Sequence, residues 1–204
     1  MAVITISRQF GAGGKTLGTL LAKKLGYTLI DEAIINKVAE KAKVSGDWVQ
    51  SIEKEAGGAL LNFLTKLVSK SFMERLLDNT KGYIDEEVYI DTLKEVIQKL
   101  AEEDNCIILG RGGQYFLRNR ENVFHVLLVA QLEDRIKFME EHYSLLPTDA
   151  RNTVTTKDKM RHNLYMKIGH ENFESPGLYN LTLNMSKLDM DKAAEIVCAL
   201  VIKP

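Results

Sequence analysis

The fold is decided by the stretch S-R-Q-F-G-A-G-G-K-T-L-G at residues 7–18. Before it, the apolar and β-branched run from Ala2 to Ile6 predicts a buried strand. After it, apolar residues at helical spacing from Leu17 to Leu25 predict a helix, and Gly26 is a natural residue for that helix to end on. A strand, a glycine-rich turn and a helix N-terminus form the setting that a phosphate-binding loop requires.

Each residue type in this loop suits a phosphate chain. The glycines let several backbone N–H groups point at one anion, and the helix start adds a positive dipole end. Lys15 can reach a β- or γ-phosphate, and the Thr16 hydroxyl is suited to ligating Mg²⁺. The usual spacing G-x-x-x-x-G-K-[ST] would place a glycine where this chain has Gln9, and a plain glycine-rich turn with a surface lysine is the alternative. The predicted cofactor-binding residues are Gly11, Ala12, Gly13, Gly14, Lys15 and Thr16.

Composition restricts the classes of protein. The 204 residues suffice for one α/β domain, and an apolar fraction of 45% suffices for a core. A net charge of −1 gives no overall electrostatic field that would favour binding of nucleic acid. The sequence has no apolar run of about 18 residues, so no membrane span is predicted. The early first strand leaves no room for a signal peptide, so a cytoplasmic protein is expected. Cys106 and Cys198 lie in apolar runs typical of reduced core thiols, and the histidines show no metal-ligand spacing.

Strands and helices are predicted to alternate along the chain. The further strands are 27–30, 106–109, 123–129 and 181–184, and the further helices are 32–43, 85–103, 131–142, 149–168 and 190–202. This alternation favours an α/β fold with a parallel five-stranded sheet and helices on both faces. Ser186, followed by Asp189, predicts a capping box before the last helix.

Residues 44–85 differ from the rest because they carry no strand pattern. Ser45 can cap a first helix that ends at Gly57 and Gly58, and apolar residues then recur at helical spacing from Leu60 to Leu77. We therefore expect an inserted helical lobe. Its apolar stripe forms the core of that lobe, or alternatively a homodimer surface.

Three further groups of residues are predicted to lie at the carboxyl ends of the strands, where α/β sheets bind ligands. Asp31 ends the second strand; it is an N-cap, a ligand-binding carboxylate, or both. In Gly110-Arg111-Gly112-Gly113 the arginine suits bidentate phosphate contact, although an ordinary glycine turn is the alternative. Residues 151–167 are basic, and Lys157 and Arg161 share a helix face. Such a run is usually a solvated face, but beside a phosphate loop it favours a lid that neutralises phosphoryl oxygens.

The sequence resembles the cytidylate kinase-like branch of the P-loop nucleoside monophosphate kinases over nearly its whole length. The resembling stretches are 6–14, 29–32, 108–112, 133–136, 158–161 and 179–184, and the opening S-R-x-F-G-x-G-G is the most specific. The resemblance implies a single P-loop kinase domain over 1–204, with an acceptor-binding helical lobe at about 44–85 and a lid at about 143–168. It implies transfer of the γ-phosphoryl group of ATP, with Mg²⁺, to a nucleoside monophosphate, CMP or dCMP in this family.

The resemblance also assigns roles by motif position. Lys15 and the loop amides would hold the ATP phosphates, Arg111 would grip the acceptor phosphate, and Asp31 would lie near the acceptor. The expected catalytic residues are Lys15, Arg111 and Arg161. The expected substrate-binding residues are Asp31, Gly110, Arg111, Lys157, Asp158 and Arg161. Thr16 is the expected metal ligand, and Asp31 is a candidate to hold Mg²⁺ through water.

Three positions depart from the pattern of the family. Gln9 stands at a loop glycine, Gly112 stands where an aspartate is usual, and Asn180 stands where an aspartate usually follows the tyrosine. These departures affect the expected specificity for cytidine more than the expected binding of phosphate. A kinase for another small molecule, or a nucleotide-binding regulatory protein without transfer activity, is the alternative to a nucleoside monophosphate kinase.

Overall fold

The computed structural model describes residues 2–31, 35, 86–168 and 172–202. The predicted lobe at 44–85, and the predicted helix at 32–43 apart from Ile35, lie outside the described residues. Within the described part of the chain, no helix is long and apolar enough to cross a membrane. The same residues contain no group of three histidine, cysteine or carboxylate side chains that could hold a metal ion.

A five-stranded parallel sheet runs through the described residues in the order β2-β3-β1-β4-β5. Its strands are β1 (Val3–Arg8), β2 (Thr28–Ile30), β3 (Cys106–Leu109), β4 (Val123–Val129) and β5 (Leu181–Asn184). The central strand β1 pairs with β3 and β4, and Ile6 is in register with both Leu109 and Val126. Because every pairing is parallel, all five carboxyl ends lie at one edge. The predicted fold class is confirmed.

Helices cover both faces of the sheet. They are α1 (Gly14–Leu25), α2 (Glu86–Leu100), the short α3 (Gly113–Phe116), α4 (Leu132–Tyr143), α5 (Pro147–Lys167) and α6 (Met190–Val201), with 3-10 turns at Ala101–Glu103 and Pro176–Leu178. On one face, Leu17 of α1 and Val197 of α6 share an apolar cluster with Ile4. On the other face, Leu93 of α2 shares a cluster with Val3. Since both faces are covered, the strands have the continuous apolar composition seen in the sequence.

The last helix begins at Met190 as predicted, but its cap differs from the prediction. Its N-cap is Asp189, whose carboxylate accepts a hydrogen bond from the Lys192 N–H at 2.8 Å. The Ser186 hydroxyl accepts instead from the backbone N–H of Gln131 at 2.8 Å. The predicted capping box is therefore wrong, because the turn after β5 brings Ser186 to the start of α4. The other predicted helices within the described residues agree to within one turn.

The two cysteines are structural thiols. Cys106 in β3 is buried, Cys198 in α6 is half-buried, and both are free. Burial raises the pKa of both thiols, that of Cys106 to about 12, so the unreactive thiol form dominates at neutral pH. This agrees with the expectation of core thiols outside any disulfide.

His125 is a buried neutral side chain within the sheet. Its Nδ1 lies 2.7 Å from the hydroxyl oxygen of Thr5 on the neighbouring strand. Burial lowers the pKa of His125 to about 4. A histidine in the unfolded chain has a pKa of about 6.5, so the unfolded state binds more protons between these two values. Stability must therefore fall as the pH is lowered through this range.

We expect the free energy of unfolding to be roughly 1–2 kcal/mol lower at pH 5 than at pH 7 because His125 takes up a proton on unfolding. Urea unfolding of the wild type and of His125→Gln at both pH values measures this contribution, which the variant should lack. His142→Gln is the control, because the His142 side chain is exposed and its replacement should preserve the pH dependence. Equal pH dependence in the wild type and His125→Gln would contradict the assignment.

Candidate active site

The glycine-rich loop joins β1 to α1 at the carboxyl edge of the sheet. Within it, the Ala12 N–H donates a hydrogen bond to the Gln9 carbonyl at 3.1 Å. Gly13 is the N-cap of α1, and the Leu17 N–H donates back to its carbonyl at 2.9 Å. The helix thus begins directly at the loop, so its free N–H groups and positive dipole end are available to an anion there. The predicted strand, turn and helix are present in this order.

Lys15 and Asp31 form an ion pair beside the loop. The Lys15 Nζ lies 3.0 Å from the Asp31 Oδ2, and the two side chains are 61% and 19% exposed. Asp31 directly follows β2, and its backbone carbonyl accepts a hydrogen bond from the Ile35 N–H at 3.1 Å. The carboxylate therefore occupies the position that the ligand-binding alternative requires. Because the Lys15 end of the pair is largely exposed, a phosphate group can reach the Lys15 ammonium from solvent.

Two adjoining cavities open at this edge. The loop cavity, of about 460 Å³, is lined by the glycine-rich loop with Lys15, Thr16 and Asp31 among its residues. The basic cavity, of about 200 Å³, lies against α5 and the turn after β3. The two cavities share a wall, whose residues are Arg8, Phe10 and Lys157.

Positive charge dominates the basic cavity. Among the described residues, its lining has no carboxylate and consists of Arg8, Arg111, Lys157 and Arg161 together with Phe10, Met160, Leu164 and Tyr165. Lys157 and Arg161 lie one turn apart on α5 and reach the same cavity, so their predicted shared face is confirmed. A cluster of guanidinium and ammonium groups of this kind suits phosphate oxygens.

Arg161 is held in place but keeps hydrogen-bonding capacity. It forms an ion pair with Glu174, and its Cζ lies 5.1 Å from the centroid of the Phe173 ring. Its Nε and Nη1 atoms are buried, and no described residue accepts a hydrogen bond from them. A buried donor without an acceptor costs about 1–3 kcal/mol, so an anion that reaches Arg161 recovers this free energy on binding.

Arg111 occupies a strained turn after β3. The φ angles of Gly110, Arg111 and Gly112 are 78°, 54° and 80°, all in the left-handed region. For a non-glycine residue this conformation costs on the order of 1–3 kcal/mol and persists only where the surroundings enforce it. Here the Gly110 N–H donates to the Ile6 carbonyl of β1 at 2.9 Å, and α3 begins at Gly113. Strained residues of this kind concentrate at functional sites.

A third cavity, of about 220 Å³, also borders the loop at Gly11, Ala12 and Thr16. The rest of its wall is largely apolar, with Phe138, His142, Ala130, Met185, Leu188 and Met190 among its residues. The Phe138 and His142 rings are stacked with centroids 3.9 Å apart. An apolar slot next to a phosphate loop suits a flat heterocyclic ring.

Comparison with known proteins assigns the chain to a family. The model of the cytidylate kinase-like family matches residues 3–187. The chain belongs to the cytidylate kinase-like family. It is a nucleoside monophosphate kinase-like phosphotransferase. A curated relative, the cytidylate kinase of Archaeoglobus fulgidus, is 23% identical over 194 residues, which cover 95% of this chain and 91% of that protein.

Solved structures share the fold of this family member. A crystal structure of an uncharacterized protein from Eubacterium ventriosum matches with a TM-score of 0.69 and 18% identity, covering 98% of both chains. A shikimate kinase from Bacteroides thetaiotaomicron matches with a TM-score of 0.50 and 15% identity, also covering 98% of both chains. At these identities the likeness concerns the fold alone, and it agrees with the predicted fold class.

Gln9, the loop residue that departs from the family spacing, has a structural role. Its Oε1 accepts a hydrogen bond from the Ala130 N–H at 3.0 Å, and its Nε2 donates to Glu174 at 3.1 Å. Glu174 is also the partner of Arg161. Gln9 therefore connects the loop, the end of β4 and the arginine of the basic cavity, a role that glycine could not perform.

The other two departing residues, Gly112 and Asn180, also make defined local contacts. At Gly112 an added Cβ would lie 2.8 Å from the Cδ1 of Ile168 and the φ is 80°, so an aspartate here would be strained and would require the Ile168 side chain to shift. Asn180 joins β5 to β4: its Oδ1 accepts from the His125 N–H at 2.7 Å, and its own N–H donates to the His125 carbonyl at 2.8 Å.

Arg8 is the residue at the site that sequence reasoning missed. It is the last residue of β1 and lines both the loop cavity and the basic cavity. Its signal was present in the sequence, since it is a charged residue two positions after the predicted strand and inside the most specific motif. Glu174 was missed as well, because no local pattern links it to Arg161 or Gln9.

The side chain of Asp158, on α5, contacts the glycine-rich loop. Its Oδ1 accepts a hydrogen bond from the Phe10 N–H at 2.9 Å, and its carboxylate forms an ion pair with Arg135 of α4. Arg135 in turn donates to the Phe10 carbonyl at 3.1 Å. This three-residue contact, the Phe10 clamp, ties α4 and α5 to the glycine-rich loop. The lid at about 143–168 and the substrate-binding role of Asp158 stay predictions.

We expect Asp158→Asn to lower the free energy of unfolding by about 2 kcal/mol, because it leaves the largely buried Arg135 guanidinium without its carboxylate. Urea unfolding measures the loss. Glu141→Gln is the matched control: it removes a carboxylate from an exposed α4 pair with Lys137 and should cost less than about 0.5 kcal/mol. Equal losses in the two variants would show that the Phe10 clamp does not stabilise the fold.

Proposed function

We propose that this protein transfers the γ-phosphoryl group of ATP to a nucleoside monophosphate, with CMP or dCMP as the acceptor. The observation that carries the proposal is the pair of adjoining cavities, one built on the glycine-rich loop and one lined by four cations. Phosphoryl transfer is mainly positioning and neutralisation of charge, and two phosphate sites with a common wall supply both. The curated relative from Archaeoglobus fulgidus supports cytidylate as the acceptor.

The donor ATP is proposed to lie along the glycine-rich loop. The N–H groups at the start of α1 and the Lys15 ammonium would hold its phosphates in the loop cavity. The third cavity, with its stacked Phe138 and His142 rings, would accept the adenine base. Both cavities border Gly11 and Thr16, so one extended nucleotide can occupy them together.

Mg²⁺ is the proposed cofactor. The Thr16 hydroxyl and the Asp31 carboxylate both line the loop cavity and supply the oxygen ligands that this ion prefers. The residues present therefore fit the ion, which would neutralise charge on the β- and γ-phosphate oxygens when bound.

The acceptor phosphate is proposed to bind in the basic cavity. Arg111 would hold two of its oxygens in a bidentate contact and orient the third toward the γ-phosphorus. Arg161 and Lys157 would neutralise the charge that accumulates as the new P–O bond forms and the bond to the β-phosphate oxygen breaks. The electron pair of the broken bond leaves with ADP.

We expect the purified protein, supplied with ATP and Mg²⁺, to release ADP when CMP or dCMP is added. A screen with other nucleoside monophosphates and with shikimate at fixed ATP, read as ADP, measures the acceptor range. Lys15→Ala is the negative control: loss of its contact to the γ-phosphate should lower turnover by orders of magnitude. Its thermal stability should hold, since Lys15 is largely exposed.

Two results of this screen would contradict the proposal. Binding of ATP without acceptor-dependent ADP release would favour a regulatory nucleotide-binding protein. ADP release with shikimate and with no nucleoside monophosphate would favour a kinase for another small molecule.

We expect Arg111→Lys to raise the acceptor KM and to lower kcat while the affinity for ATP changes little. Lysine keeps the charge but loses the planar fork, at a cost of about 1.5–3 kcal/mol, or one to two decades in kcat/KM. Steady-state kinetics with each substrate varied in turn measure this, and exposed Arg118→Lys is the matched control. A loss of ATP affinity with an unchanged acceptor KM would move Arg111 to the donor side.

A further inference from the structure

Arg8 lies at the boundary between the two phosphate cavities. It is the carboxyl-terminal residue of β1, the central strand of the sheet, and it lines both cavities. By contrast, Lys15 lines the loop cavity, and Arg111 and Arg161 line the basic cavity. Phe10 and Lys157 share the boundary, but of these three Arg8 alone carries a planar guanidinium.

The side chain of Arg8 crosses two glycines on its way to this boundary. A Cβ added at Gly14 would lie 2.9 Å from the Arg8 Cγ, and a Cβ added at Gly110 would lie 2.2 Å from its Nη1. Gly14 has no positive φ, so the backbone of α1 does not itself require glycine there. The close approach of Arg8 does require it. The glycine-rich loop and the turn after β3 thus share a second task, which is to leave a passage for one arginine.

The two cavities bring further positive charge close to Arg8. Four further cations line the same two cavities: Lys15, Arg111, Lys157 and Arg161. Lys15 and Arg161 are paired with Asp31 and Glu174, and the positively charged groups that line the cleft attract phosphate. A guanidinium at the common wall is the group best positioned to meet a phosphoryl group that moves from one cavity to the other.

We propose that Arg8 is a further catalytic residue, which contacts the phosphoryl group in transit between donor and acceptor; this inference rests on the proposed function. As the acceptor oxygen bonds to the γ-phosphorus and the bond to the β-phosphate oxygen breaks, Arg8 holds the equatorial oxygens by hydrogen bonds. Arg8 stays protonated throughout and exchanges no proton. Its contact is strongest in the transition state, because there the phosphoryl group lies between the two cavities.

The test compares Arg8→Gln and Arg8→Lys with the wild type. We expect both variants to lower kcat by at least about a hundredfold, because neither amide nor ammonium reproduces a charged planar fork. The KM values for ATP and for the acceptor should stay within about threefold of the wild type. Arg118→Gln removes an exposed arginine outside the cleft and should leave kcat unchanged.

A binding measurement without turnover completes the test. Calorimetry with an inhibitor in which two nucleosides are joined by five phosphates should show at least a tenfold weaker affinity in both Arg8 variants. The affinity for ATP alone should change little, since Lys15 and the loop amides remain. Thermal unfolding verifies that the variants are folded. Arg8→Lys keeps the charge and most of the aliphatic chain that packs against Gly14, so it provides the test if Arg8→Gln does not fold.

Distinct outcomes separate this inference from the proposed function. If the wild type phosphorylates CMP and the Arg8 variants retain kcat within threefold, Arg8 is not catalytic and the proposed function stands. A rise in one KM with an unchanged kcat would also overturn the inference, because it would assign Arg8 to one cavity. If the wild type phosphorylates no nucleoside monophosphate, the proposed function fails, and an unchanged affinity of the Arg8 variants for the five-phosphate inhibitor then overturns the inference independently.

Discussion

The parallel pairing of the central strand with both of its neighbours is the constraint on which the site depends. Because β1 runs parallel to β3 and β4, the loop after β1 and the turn after β3 open at the same edge. The Gly110 N–H then bonds the Ile6 carbonyl and fixes the strained turn of Arg111 against the central strand. Residues about a hundred positions apart in the chain thereby line adjoining cavities. An antiparallel neighbour would send its following turn to the opposite edge.

Three acidic residues hold the cations of this edge in place. Asp31 pairs with Lys15, Asp158 with Arg135, and Glu174 with Arg161. The pairs differ in exposure, and this difference suits different tasks. The Lys15 ammonium is largely open to solvent and accessible to phosphate, whereas Arg135 and Arg161 are largely buried and their pairs fix α4, α5 and the loop relative to one another.

The elements of the fold were predictable because the strands are buried on both faces. Apolar runs such as 106–109 and 123–129 gave the bounds of β3 and β4 directly. The cap of α6 was predicted wrongly, since Ser186 and Asp189 are both residue types that cap helices. The choice between them depends on Gln131, which is brought next to Ser186 by the turn after β5.

The sequence by itself determined the phosphate loop, the order of strands and helices, and the basic character of α5, because these follow from local spacing and composition. The tertiary structure alone decided which cations share a cavity, that Gln9 and Glu174 are connected to Arg161, and that Arg8 lies at the boundary between the two cavities. Such relations depend on side chains that meet across the sheet edge. No periodicity encodes them, since hydrogen bonds and close contacts between distant segments are set by the packing of the whole sheet and its helices.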